Sequence, residues 1–213
     1  MARHYLDHAS TTPLRPEARA AMQDWADLGV TADPGRVHTE GRIVRAALED
    51  ARDRVAALFG VRPRQVVLTS GATEAINAAV WGTLADADGA PVAFAAVEHS
   101  AVRDASARRA PVVEIGVDRT GRISAVAVGE ALESSLAGHG RLPGLVHCQA
   151  ANHEVGTIQD LAGVIEFCRA RGIPVHVDAV AVAGHLAFDV EACGADLVWY
   201  RPTNWAGRPV SGR

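Results

Sequence analysis

The sequence predicts an α/β fold of three layers, α/β/α, on a mainly parallel sheet. From about residue 65 onward, short apolar runs alternate with stretches of helical period. Strands joined by such crossovers are forced into a parallel sheet with helices over both faces. Within Val66–Asn77, three β-prone residues run into a Gly-centred turn and then into good helix formers, giving a strand, a tight turn and a helix N-terminus in one segment. The polar residues able to do chemistry fall just after the apolar runs, at the carboxyl ends of the expected strands, where ligand sites of such sheets collect.

In chain order, Pro16 sets a helix start near Arg15, with Ala18, Ala21, Met22 and Trp25 on one face. After the Asp33-Pro34-Gly35 loop a long helix is expected from about His38 to Phe59, with Ile43, Val44, Ala47, Leu48, Ala51, Val55 and Leu58 as its apolar face and Gly60 as its stop. Strands are then expected at about 65–69, 91–96, 111–115, 144–149, 174–177 and 195–199, and helices at 72–84, 99–108, 124–137 and 158–171. Asp118–Arg122 is a polar turn, and the run after Trp199 has neither strand nor helix period.

Composition sets the class. At 48% hydrophobic and 22% charged, 213 residues fit a soluble globular protein with one core. No apolar run approaches the roughly 20 residues that span a bilayer, and the N-terminus lacks a signal-peptide core, so a cytoplasmic protein without membrane contact is expected. A net charge of −4 without a basic stripe gives no footprint for nucleic acid. Cys148, Cys168 and Cys193 have no metal-ligand spacing and read as structural thiols, with no metal site and no disulfide framework. All 21 residues of the Lys+Arg total are arginine.

At the turn, the N–H groups of Gly71, Ala72 and Thr73 converge at a helix N-terminus and make an anion cup whose usual guest is phosphate; plain helix capping is the other reading. Four further motifs accompany it: Tyr5–Pro13, Val97–Val102 containing Glu98 and His99, Asn152–Gln159 containing His153, and Val175–Ala179 containing Asp178. In this order they resemble the cysteine desulfurases, pyridoxal-phosphate (PLP) enzymes of the class V aminotransferase fold, over about residues 4–198.

The resemblance implies roles. Asp178 would hold the pyridine nitrogen protonated, His99 would stack on the ring and shuttle protons, and Thr73 would join the 71–73 amides on the phosphate. Asn152 and His153 would be cofactor-binding residues, with His153, where the family commonly has asparagine, facing the ring's phenolic oxygen. Ala181 stands where the family commonly has glutamine. The family's PLP-bearing lysine falls on Asn204, the histidine before it on Thr203, and its glycine turn on Ala206 and Gly207, so no ε-amine is present for the covalent link. A one-base shift in a GC-rich family segment would yield the run Pro202–Arg213. The chain therefore reads as a partial PLP-transferase large domain (1–198), without the small C-terminal domain, and an out-of-frame tail (199–213).

For the complete relatives the resemblance implies sulfur transfer from L-cysteine to an enzyme cysteine with release of alanine, delivery to sulfur-acceptor proteins for iron–sulfur cluster assembly, and a homodimer. The chain as written is expected to be inactive. A non-catalytic PLP-binding or dimerising remnant, a class V aminotransferase and a selenocysteine lyase are the alternatives. The edge strand at 195–199 is expected to leave Val198, Trp199 and Trp205 in an exposed apolar patch and to make the chain aggregation-prone.

Overall fold

A computed structural model of the chain describes residues 4–8, 10–87 and 89–201. Five strands, β1 (Val92–Ala95), β2 (Val112–Ile115), β3 (Leu145–Gln149), β4 (Val175–Asp178) and β5 (Leu197–Trp199), form one sheet in the order β2-β1-β3-β4-β5. Every pairing is parallel, with Val146 opposite Val175 and Gln149 opposite Asp178 across β3 and β4.

Side chains alternate across the pleat, so each strand feeds two cores. Ala93, Ala95, Val146, Cys148, Val175 and Val177 pack on one face, with Val128 and Leu132 of α5 (Ala125–His139) and Val164, Ile165 and Cys168 of α6 (Leu161–Arg169). Val92, Phe94 and Leu145 pack on the other, with Ile76 and Val80 of α3 (Ala72–Thr83) and Val102 and Ala105 of α4 (Ser100–Arg109). These are the three layers the alternation predicts. Among the described residues no helix is long and apolar enough to cross a membrane.

The two N-terminal helices, α1 (Pro16–Asp27) and α2 (Thr39–Leu58), form where expected, and Gly60 ends α2 with φ 66°, a left-handed conformation that a side chain would strain. The apolar face of α1 is open, and that of α2 is only partly covered, with Val44, Ala47, Leu48 and Val55 half-buried. No residue of α1 is buried, Met22 is 64% exposed, and only Gly41 and Ala56 are buried within α2. A short helix, α7 (Val190–Cys193), precedes β5 in a stretch the sequence pattern leaves unassigned.

The strand expected at 65–69 does not form. Pro63–Gln65 is a 3-10 turn, closed by Val66 N–H donating to the Pro63 carbonyl (3.0 Å), and the chain beyond it is extended without a strand partner among the described residues. The Val66 carbonyl instead accepts from the Arg52 guanidinium. Strand propensity measures packing and pairing on a pleated surface, and no strand among the described residues pairs with this segment. Val67 is therefore 79% and Leu68 48% exposed. The expected apolar patch is accordingly displaced: Val198 and Trp199 are half-buried against the two cores, and Val67 and Leu68 carry the exposure. Trp205, Thr203, Asn204, Ala206 and Gly207 lie outside the described residues, as does the whole run 202–213.

Candidate functional site

A cavity of about 600 Å³ opens at the carboxyl ends of β3 and β4, and its wall includes Ala72, His99, Asn152, His153 and Asp178. Five sequence-predicted residues thus meet in one space. Gly71 and Thr73 flank Ala72 in the chain but do not border the cavity themselves.

Gly71 is the N-cap of α3, and the first helical bond runs from Ala75 N–H to the Gly71 carbonyl (3.1 Å), so the N–H groups before it are left over by the helix. A Cβ at Gly71 would meet nothing within 4 Å, so the turn faces open space. One residue earlier the turn is tied down: the Glu74 carboxylate accepts from both the Ser70 N–H and hydroxyl at 2.6 Å, and these bonds hold it below the usual carboxylate range.

His99 caps α4 by accepting the Ala101 N–H at Nδ1 (3.1 Å), which leaves its proton on Nε2. His153 lies across the cavity with ring centroids 6.5 Å apart. Asn152 is buried and uses its Oδ1 to hold its own turn, accepting from Glu154 N–H (2.8 Å) and Val155 N–H (3.0 Å). Asp178 ends β4 and accepts the Val180 N–H at Oδ1 (2.9 Å). Burial raises its carboxyl above the ordinary range, against the pull of that N–H and of His99 and His153.

The sequence reading missed Gln149. It is 5% exposed, lies opposite Asp178, borders the cavity and donates from Nε2 to the Val97 carbonyl (2.8 Å). The signal in the sequence was weak: a single amide at the end of the Leu145–Gln149 run, which also holds His147. Trp199, whose residue number marks the start of the expected tail, is the last residue of β5 and also borders the cavity. Ala181 does too, so that wall is a methyl group. No cysteine borders it, and burial pushes Cys148 well up, Cys168 to about 11, and Cys193 in the same direction. Among the described residues no group of three or more His, Cys, Asp or Glu side chains can hold a metal ion.

A parallel sheet between helical layers, with a cavity beyond its strand ends, defines a three-layer α/β domain with its candidate ligand site where such sheets carry one. The class V aminotransferase model matches residues 4–200, and the chain belongs to that family. It is 35% identical to an IscS-like cysteine desulfurase of Mycobacterium tuberculosis over 98% of this chain and 54% of that protein. To the cysteine desulfurase IscS of Pectobacterium atrosepticum it is 34% identical over 91% of this chain and 48% of the relative. The chain thus spans about half the length of these relatives. Among solved structures, SspA in complex with cysteine superposes with a TM-score of 0.81 at 25% identity, covering 94% of this chain and 57% of that one. The NifS-like protein of Rickettsia africae gives 0.81 at 22% identity, covering 92% and 53%, a likeness of fold.

Proposed function

We propose that this chain is the cofactor-holding half of a cysteine desulfurase-like protein, and that it binds PLP without a covalent link. The observation that carries the reading is the Asp178 carboxylate, set at the end of β4 in the same cavity as His99 and the N-terminus of α3. This donor set suits PLP: a helix N-terminus with spare N–H groups for a phosphate, a carboxylate for a basic ring nitrogen, and an imidazole for the ring.

Bound there, PLP would supply an electron sink for the α-carbon of an amino acid. Asp178 would hold the ring nitrogen protonated by remaining an anion. The N–H groups of Gly71, Ala72 and Thr73 and the Thr73 hydroxyl would take the phosphate, with Ala72 on the cavity wall and its two neighbours beside it in the chain. His99, accepting the Ala101 N–H at Nδ1 and so carrying its proton on Nε2, would face the ring and move protons at the substrate side, and His153, with Asn152 beside it, would face the phenolic oxygen. The implied substrate is L-cysteine, with its sulfur passing to a protein thiol and on to sulfur-acceptor proteins, in a homodimer of complete subunits. None of this chain's thiols is placed to receive that sulfur, and its 213 residues include no lysine, so by itself it would not turn over. The missing lysine equally favours a second reading, a non-catalytic PLP-binding or dimerising remnant.

The test is titration of the purified chain with PLP, followed by ring absorbance and tryptophan quenching. We expect saturable binding that Asp178→Ala weakens about tenfold, the worth of one charge-assisted hydrogen bond. With the N-terminal amine blocked, borohydride treatment should leave the intact mass unchanged. Absence of binding, equal binding by D178A, or a reduced adduct on an internal residue would each overturn the reading.

A further inference from the structure

Glu98 is a buried carboxyl that the proposed function leaves without a task. It sits in the turn after β1, where its N–H donates to the Ala95 carbonyl (2.9 Å), and it immediately precedes His99. The residue is 4% exposed, and neither carboxyl oxygen has a hydrogen-bond partner. The Gln149 peptide N–H favours its charge but does not reach bonding geometry. Among the described residues no arginine forms an ion pair with it.

Its surroundings disfavour a second anion. Asp178 of β4 adds like charge to the loss of water, and the Cys148 thiol of β3 is also within electrostatic reach. Asp178 has what Glu98 lacks: the Val180 N–H at 2.9 Å, His99 and His153 facing it, and partial contact with the cavity. When two carboxyls share a poorly solvated site, the proton settles on the one with the worse surroundings.

We propose that Glu98 is a positioning residue that stays a neutral carboxylic acid, so that Asp178 is the one negative charge in the floor of the cavity. Its consequence for PLP rests on the function proposed above; its protonation does not. An ionised Glu98 would press Asp178 toward its own neutral form and remove the partner of the ring nitrogen.

The test compares the whole chain with Glu98→Gln, which keeps the shape and the neutrality. At neutral pH the infrared spectrum should carry a carboxylic-acid carbonyl band that shifts in D₂O and is lost in E98Q. Isotope labelling of glutamate carboxyls identifies the same band in the unsubstituted chain, so the result does not depend on the variant folding. A glutamate whose folded pKa lies above its unfolded value of about 4.3 loses stability as pH rises through that interval, because the unfolded chain releases the proton first. The melting temperature of E98Q should therefore exceed that of the parent by a margin that widens from about pH 5 upward. A structural filler would give a constant margin. E98Q should also keep PLP affinity within about twofold. Absence of the band, persistence of the band in E98Q, a margin that does not change with pH, or a larger loss of affinity would overturn the proposal. If neither protein binds PLP, the proposed function fails while the band and the pH-dependent margin still decide the state of Glu98.

Discussion

The two flanks of β4 start from similar apolar segments and end differently. Toward β3 the strands pair residue for residue, their side chains are buried on both faces, and the cavity forms at their carboxyl ends. Toward β5, the last strand among the described residues, three half-buried residues pair on one side, and the Val66–Thr69 segment lines a second cavity of about 490 Å³ without pairing to the sheet. Apolar, β-prone sequence is present on both sides. What differs is whether a neighbouring edge is there to complete the hydrogen bonds, and a strand is a property of the pair.

The largest effect that sharpens this contrast is a core truncation. Leu145 is fully buried and Leu68 is 48% exposed, so Leu145→Ala should cost about 3 kcal/mol in chemical denaturation and Leu68→Ala less than about 1 kcal/mol. Equal costs would mean that the β5 flank is as well packed as the other.

A comparable effect comes from acid. His147 and His176 face one another on β3 and β4, with Nδ1 atoms 2.8 Å apart, both rings buried and neither Nε2 partnered. Burial lowers both, His176 from 6.5 to about 4 and His147 well below its usual value, with His176 adding to the effect on His147. The unfolded chain therefore binds protons that the folded chain refuses, and stability present at pH 7 is lost as pH falls below about 6.5 toward about 4. For His176 alone the loss is about 3 kcal/mol. Urea midpoints across that range should show it, and His176→Gln should flatten the curve. His176 also borders the second cavity, so a shallow acid limb in the parent would mean that water reaches the pair from the β5 side.

The smallest effect on stability is the most visible in solution. Val67→Thr with Leu68→Thr should change stability by no more than about 0.5 kcal/mol, because both side chains are exposed. The parent should bind a hydrophobic dye and sediment as more than a monomer, and the double substitution should reduce both. Dye binding that ignores the substitution would place the sticky surface elsewhere, with the open face of α1 and the partly covered face of α2 next in line.

The layers and the gathering of His99, Asn152, His153 and Asp178 were legible because alternation fixes the crossovers, and crossovers fix where strand ends meet. The failure at 65–69 was not legible, since its local signal was sound and pairing depends on a neighbouring strand that the segment itself does not specify. Gln149 was hidden in an apolar run and Glu98 beside a more conspicuous histidine. Their burial follows from which strands become neighbours, which no short window of sequence contains. The open face of α1 and the partly covered face of α2 were misleading in the opposite sense, because amphipathic spacing promises a surface to pack on without saying that it is there.

The strand order also bears on how the chain assembles. After β1 and β2 pair, β3, β4 and β5 each join the sheet on the same side, in the order in which they leave the ribosome. Each arrival finds the edge that the previous one exposed, and no later strand has to be threaded between two already joined. Parallel pairing is slow because each contact closes a long loop, and synthesis in this order keeps every such loop to a single crossover. Pulse-labelled hydrogen exchange should then find β1 and β3 amides protected before those of β5. The growing front of the sheet is at every stage its most adhesive surface.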